Sequence, residues 1–182
     1  MKSVLISIRP QWVEKIASGE KTIEVRKTAP QEVPFKCYIY ETKGQYVKFT
    51  HGAHTKYGYG RGKVIGEFIC DKVYSIKNRG SSFSVADEEQ SVTNEIARQS
   101  CLYYDDMVSY FGNKDGFGWH ISDLKIYDKP KELSEFCIPC KVSCENCKNP
   151  LYFECWCEEK GKRIVTRPPQ SWCYVEDLGE EE

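Results

Sequence analysis

Lys21, Glu24 and Arg26 fall within one six-residue stretch. A carboxylate set between two cations is held ionised, and a partly desolvated lysine has its pKa lowered toward that of a general base or nucleophile. If the three converge on one pocket, they form a unit that binds a polar ligand or moves a proton, with Lys21 as base or nucleophile and Glu24 as proton carrier. The competing reading is a structural Glu24–Arg26 pair at a strand edge beside a solvated Lys21.

A second concentration of chemistry lies toward the C-terminus. Six of the ten cysteines fall between Cys137 and Cys157, spaced Cys137-x2-Cys140-x3-Cys144-x2-Cys147 and then Cys155-x-Cys157. Zinc takes four thiolates in a tetrahedron, and a Cys-x-x-Cys turn commonly supplies two of them. Ligands drawn only from Cys137 to Cys147 would leave three residues to reverse the chain. The preferred set is therefore Cys140, Cys144 and Cys147 with a fourth from the return. Cys157 is taken as that fourth ligand, with Cys155 or Cys137 as alternatives, because residues two apart on a strand share a face. Cys137, between Phe136 and Ile138, also suits a buried thiol. Zn2+ is the expected cofactor and an iron–sulfur cluster the runner-up, since nothing else in the chain points to redox chemistry. Cys37, Cys70, Cys101 and Cys173 read as small buried hydrophobes.

Elements must position these groups. Val4-Leu5-Ile6-Ser7-Ile8 is a β-branched run ended by Arg9-Pro10, which reads as a first strand. Trp12, Val13, Ile16 and Ala17 recur at helical spacing up to Gly19, a short helix with a C-terminal glycine. Thr22 to Arg26 alternates, so Glu24 and Arg26 share one strand face and Ile23 and Val25 the other. Further strands are expected at 36–40, 63–70 and, as one long strand, 118–127. Residues 44–62 read as a long connection or hairpin excursion, and residues 91–110 as two short helices broken near Cys101, the second closed by Gly112. A strand, a helix and a mostly antiparallel run of strands give the class α+β, with a small β-barrel core and flanking short helices.

Ser7-Ile8-Arg9-Pro10 followed by Ile16-Ala17-Ser18-Gly19-Glu20-Lys21-Thr22-Ile23-Glu24-Val25-Arg26 resembles the opening signature of ASCH domains: a strand, a helix, then a Gly-x-Lys-x-x-Glu-x-Arg turn into the next strand. The ending Arg167-Pro168-Pro169-Gln170-Ser171-Trp172-Cys173-Tyr174-Val175 is similar to that of ASCH proteins from phages and prophages of Gram-positive bacteria. The resemblance covers most of residues 1–130 and 164–176 and leaves the cysteine segment outside. It implies a PUA-like barrel whose cleft lies beside the first helix, and an RNA- or nucleotide-linked role. Some small ASCH members are amidohydrolases on acetylated cytidine that use a lysine, a threonine and a glutamate; Lys21 matches the lysine, and Glu24 stands at the threonine's place.

Against that cleft, Arg9 at the end of the first strand is expected to take a phosphate or stack on a base. Trp119, beside His120, and Trp172, beside Gln170 and Ser171, offer the aromatic face and amide that recognition of a single base needs. Pro168-Pro169 stiffens the approach of Gln170 and Trp172, which places them at the rim. For each tryptophan the plainer alternative is a core position. His51 and His54 read as parts of a solvated loop. Tyr46, Tyr57 and Tyr59, interleaved with Lys48, Lys56, Arg61 and Lys63, form the best candidate nucleic-acid surface outside the cleft.

The chain of 182 residues carries 26 Lys and Arg against 27 Asp and Glu, so no global positive field favours nucleic acid or anionic lipid. The length suits one core: a single domain over 1–176, with 137–160 as a cysteine-rich zinc-binding insertion and 177–182 as an acidic tail. Met1 to Pro10 is neither a signal peptide nor a spanning segment, so the expected location is the cytoplasm, the host's if the chain is phage-encoded, with no membrane partner. Three functions fit: an RNA- or nucleotide-binding module, a hydrolase acting through Lys21 and Glu24 on a modified nucleoside or RNA, and a phage protein docking on a host factor through its cysteines.

The apolar side chains of 137–160, chiefly Ile138, Val142, Leu151, Tyr152, Phe153 and Trp156, are too few to offset the ordering entropy of that segment. Coordination of one zinc ion can supply on the order of 10 kcal/mol of coupled folding free energy. Protein purified without added zinc is therefore expected to carry one zinc per chain, and chelation should expose Cys144 and Cys147 to thiol labelling while the rest of the chain stays folded. A stoichiometry near zero by metal analysis overturns the zinc assignment.

Overall fold

A computed structural model describes residues 1–48, 56–80, 82–139 and 163–179. Strand β1 (Lys2–Ile8) leads into helix α1 (Pro10–Ala17) and strand β2 (Ile23–Arg26). Pro10 sits at the first helical turn, where its missing N–H costs nothing. The helix closes where Ser18 N–H meets Glu14 O and Gly19 adopts φ +76°, a conformation that favours glycine. The turn then folds back on the helix, with Lys21 N–H donating to Lys15 O at 2.9 Å, and this sets Lys21 at the entrance to β2.

The other strands are β3 (Phe35–Glu41), β4 (Gly44–Lys48), β5 (Lys56–Gly60), β6 (Val64–Cys70), β7 (Val73–Asn78), β8 (Phe83–Val85), β9 (Gly116–His120), β10 (Ser122–Lys131) and β11 (Trp172–Val175). Helices α2 (Gln90–Ser100) and α3 (Tyr104–Phe111) stand between β8 and β9. They are separated, as expected, at Cys101, whose φ of +55° ends α2.

Sheet pairing gives a five-stranded sheet in the order β10-β6-β3-β1-β11, a four-stranded sheet β2-β9-β7-β8 and the hairpin β4-β5. The class is α+β, but among the described residues the ladder does not close into the expected barrel. Besides the passages into and out of β2, the chain crosses from one sheet to the other at bends between β6 and β7 and between β9 and β10. At the bends His120 N–H donates to Lys72 O and Ile121 N–H to Thr22 O, each at 2.9 Å. The single strand expected over 118–127 is thus two strands in different sheets. On the opposite side, β2 and β1 share no ladder, and the Arg26 guanidinium spans the seam by donating to Ser7 O at 2.7 Å.

β1 and β3 pair in parallel at the centre of the larger sheet and are buried on both faces, which explains their near-continuous apolar sequences. Val4, Ile6, Ile8, Cys37 and Ile39 pack with Val13 and Ile16 of α1 in the main core. Leu5, Tyr38 and Tyr40 face the other way, onto Phe136, Val165 and Val175. A third core joins Ile23 and Val25 of β2 to Ile76, Ile96, Met107 and Phe111 beneath α2 and α3. Of the four isolated cysteines, Cys37 and Cys70 are buried as expected, whereas Cys101 and Cys173 are only half-buried, because the first caps a helix and the second lies on the edge strand β11.

The chain leaves the second core at Phe136 and re-enters it at Val165. Cys137 and Ile164 form an antiparallel bridge, and Ile138 N–H donates to Arg163 O at 2.8 Å, so residues 138 and 163 lie side by side. Cys140, Cys144, Cys147, Cys155 and Cys157, and hence the preferred zinc ligands, fall outside the described residues. Asp177, at the start of the expected tail, is pinned: its carboxylate accepts from Tyr38 at 2.5 Å and from Lys36 at 3.0 Å. Burial opposes its ionisation, yet those hydrogen bonds hold its pKa below the ordinary value.

Phe136 is fully buried, with its ring edge-on to Tyr38 at 5.0 Å. Phe136→Ala is expected to cost about 3–5 kcal/mol in chemical unfolding. Ile138→Ala, two residues on at a half-exposed site, should change stability by no more than about 0.5 kcal/mol.

Candidate functional site

A cleft of about 520 Å³ opens between the start of α1, strand β2 and helix α3. Its charged wall is built by β2, whose alternation sends Ile23 and Val25 into the third core and Glu24 and Arg26 to the opposite face. Glu24 lies between the two cations: one carboxylate oxygen is 2.9 Å from Arg26 Nη2 and the other 3.4 Å from Lys21 Nζ. All three residues are buried, at 2–7 % exposure, so the unit is integral to the fold and is not a solvated surface pair. The sequence-based expectation that they meet at one cleft beside the first helix matches this geometry.

Lys21 is held more tightly than spacing alone implied. Its ammonium donates to Ile23 O at 2.8 Å and to the α2 terminal carbonyl Ser100 O at 2.6 Å, and it lies 5.5 Å from the ring of Trp12. Desolvation lowers its pKa from the ordinary 10.5, and Glu24 opposes that shift. Arg26 ties β2 to β1 through Ser7 O, while its Nε–H, buried in the wall, has no partner among the described residues. The two cations are thus spent on Glu24 and on backbone carbonyls.

The mouth of the cleft differs in chemistry. Arg9 is exposed there and makes no ion pair among the described residues. Gln11 and Gln170 supply amides, and Trp12 and Tyr110 supply aromatic surface. Gln170 is placed by the segment before β11, where Ser7 Oγ donates to Pro169 O at 2.6 Å and Ser7 N–H to Ser171 O at 2.9 Å. Asp106 also lines the cleft, and its carboxylate caps α3 by accepting from Tyr103 N–H.

Two expected ligand residues lie elsewhere. Trp119 is fully buried, edge-on to Phe35 at 5.1 Å, because β9 is an inner strand paired on both sides and its inward residue enters the main core. Trp172 is half-buried on β11, where its Nε1–H donates to Thr28 Oγ1 at 3.0 Å and its ring meets Trp119 at 5.8 Å; it does not line the cleft. Trp12, Asp106 and Tyr110 were not singled out from sequence as site residues. Trp12 was legible only as part of a helical apolar stripe, and the approach of α3 to α1 leaves no local signal.

The expected nucleic-acid surface is partly described. Tyr57 and Tyr59 share one face of the β4–β5 hairpin and are exposed, while Tyr46 covers Gly58, where a Cβ would come within 2.5 Å of its ring. Lys63 is paired with Glu132 at 2.7 Å, and the Arg61 guanidinium is 3.9 Å from Glu41. His51 and His54 lie outside the described residues. Among the described residues no cluster of His, Cys, Asp and Glu is arranged to hold a metal. No helix among them is long and apolar enough to cross a membrane.

The fold, two sheets flanked by short helices, is comparable to that of solved ASCH proteins. Among comparable solved structures is that of ASCH from Zymomonas mobilis, which aligns at a TM-score of 0.53 and 18% identity, covering 96% of this chain and 88% of that one. A tyrosine-to-phenylalanine variant of the same protein aligns at 0.54 and 17%, covering 97% and 91%. At these identities the likeness is one of fold. No family model matches the sequence, and no curated protein matches it significantly.

Removing the carboxylate between two buried cations leaves both uncompensated. Glu24→Ala is expected to lower the unfolding free energy by about 3–5 kcal/mol, measured by urea titration. A loss below about 1 kcal/mol would show that the three charges are solvated and independent.

Proposed function

We propose that the cleft binds a nucleotide or a single nucleotide unit of RNA, with the base against the Lys21–Glu24–Arg26 wall and a phosphate at Arg9. The observation that carries this reading is the division of labour among the charges. Glu24 offers carboxylate lone pairs to the N–H edge of a base, the internal cations pair with its two oxygens, and Arg9 is left at the mouth for an anion. Trp12 and Tyr110 supply rings on which a planar base can stack. The likeness of fold to an ASCH protein supports the reading.

A second reading, hydrolysis with Lys21 as general base, draws on the burial that lowers the lysine's pKa. Geometry favours binding over it, since Ile23 O, Ser100 O and Glu24 occupy the three positions to which the ammonium donates. Release of acetate from acetylated cytidine, or RNA cleavage, by the parent protein and not by a folded Lys21→Gln variant would favour the hydrolase. The cysteine segment is proposed to bind zinc in a structural role, a reading supported by its ligand spacing and by the paired entry and exit at Ile138 and Arg163.

Nucleoside monophosphates and a short single-stranded RNA, titrated with tryptophan fluorescence as the signal, test the binding reading. Arg9→Ala is expected to weaken affinity about five- to tenfold, as loss of one charge-assisted contact. The logarithm of affinity should fall with that of salt at a slope near −1, since about one phosphate is neutralised. Absence of binding by all of these ligands, or an affinity indifferent to both Arg9→Ala and Gln170→Ala, overturns the proposal.

A further inference from the structure

A second cavity, of about 230 Å³, lies beneath α2 and α3 on the far side of β2 from the charged wall. Its origin is visible in α2. Thr93, Ile96, Ala97 and Ser100 recur at i, i+3, i+4 and i+7, so Ala97 is a small residue on the face turned toward the third core. Val25, Ile76, Val85, Ile96, Leu102 and Met107 supply the apolar walls.

Several polar side chains of the lining are already engaged. Thr93 Oγ1 accepts from Val85 N–H at 3.0 Å, Ser100 Oγ donates to Ala97 O at 2.7 Å, and Gln90 donates to Asn94 at 3.0 Å. No ionisable acid or base lines the cavity, apart from the phenol of Tyr104, and none of the buried polar atoms left without a partner among the described residues belongs to it. For scale, an apolar cavity of about 150 Å³ holds one benzene ring. At its rim stands Tyr104, 43% exposed, with its ring against Phe83 at 5.6 Å and its hydroxyl donating to Gly80 O at 3.1 Å. That hydrogen bond joins α3 to the turn between β7 and β8.

We propose that this cavity is a binding site for a small, neutral, apolar molecule of one or two rings, admitted past Tyr104 where it bridges α3 to Gly80. The size excludes a nucleotide, and the absence of a charged wall excludes an anion. The site is therefore separate in chemistry from the cleft on the other side of β2, and the proposal does not depend on what that cleft binds.

Indole is a suitable probe, titrated into the full-length protein and followed by amide NMR shifts and by thermal unfolding. Saturable shifts at Ile76, Ile96 and Met107 are expected, together with a rise in the unfolding midpoint. Ala97→Leu, which keeps a good helix former while filling the space, should weaken indole at least tenfold. The proposal is overturned if those three amides stay unmoved up to the solubility limit of indole, or if the shifts are confined to residues of the charged cleft such as Trp12 and Tyr110. It is equally overturned if Ala97→Leu, shown to be folded by its dispersed amide spectrum, binds indole as tightly as the parent. Should that variant not fold, Ala97→Val provides the same comparison, and the titration of the parent decides the matter by itself.

Discussion

One buried carboxylate organises this molecule. Glu24 compensates Lys21 and Arg26, and each of those cations in turn holds a piece of backbone: Lys21 the last carbonyl of α2, and Arg26 the Ser7 carbonyl of β1. The charges therefore fix three elements that share no backbone ladder with one another at these points. Burying them costs several kcal/mol of desolvation per ion, a cost tolerable only while all partners are present. The cleft wall is consequently preorganised, since its donors and acceptor are oriented before any ligand arrives.

Around this unit, the larger sheet separates two apolar layers, and the layers have different dependencies. The main core joins β1 and β3 to α1 and is made by the first seventy residues together with Trp119 and Ile121. The second is completed from far along the chain by Phe136, Val165 and Val175. The cysteine segment leaves and returns through that second layer, so its two ends are anchored in packed side chains whatever its own interior does.

The parts legible in the sequence were those with local causes. β1, α1 and the turn into β2 follow from an apolar run, a proline, a helical stripe and a glycine. The polar face of β2 announced the charged wall. β7 and β8 were not read, because their residues are mostly half-buried and carry no clean alternation. The division of 116–131 into two strands was hidden as well, since the bend at Ile121 is held by the hydrogen bond its N–H donates to Thr22 O, about a hundred residues away, and by no proline or glycine. Trp119 was misplaced for a related reason: its position in the core depends on β9 being paired on both sides, which is a property of topology.

The pairing of β1 with β3 on one side and β11 on the other carries a consequence for synthesis on the ribosome. β1 is made before both of its partners: its parallel neighbour β3 follows within forty residues, whereas its other edge is covered only by Trp172–Val175. Until then Ser3 to Ile6 present open backbone groups on a largely apolar strand, the kind of edge that recruits other chains. Contacts of such long sequence separation also form slowly. A nascent chain arrested before Trp172 would thus expose a ready-made template for association, which makes this N-terminal strand a natural client for whatever shields hydrophobic segments at the exit tunnel.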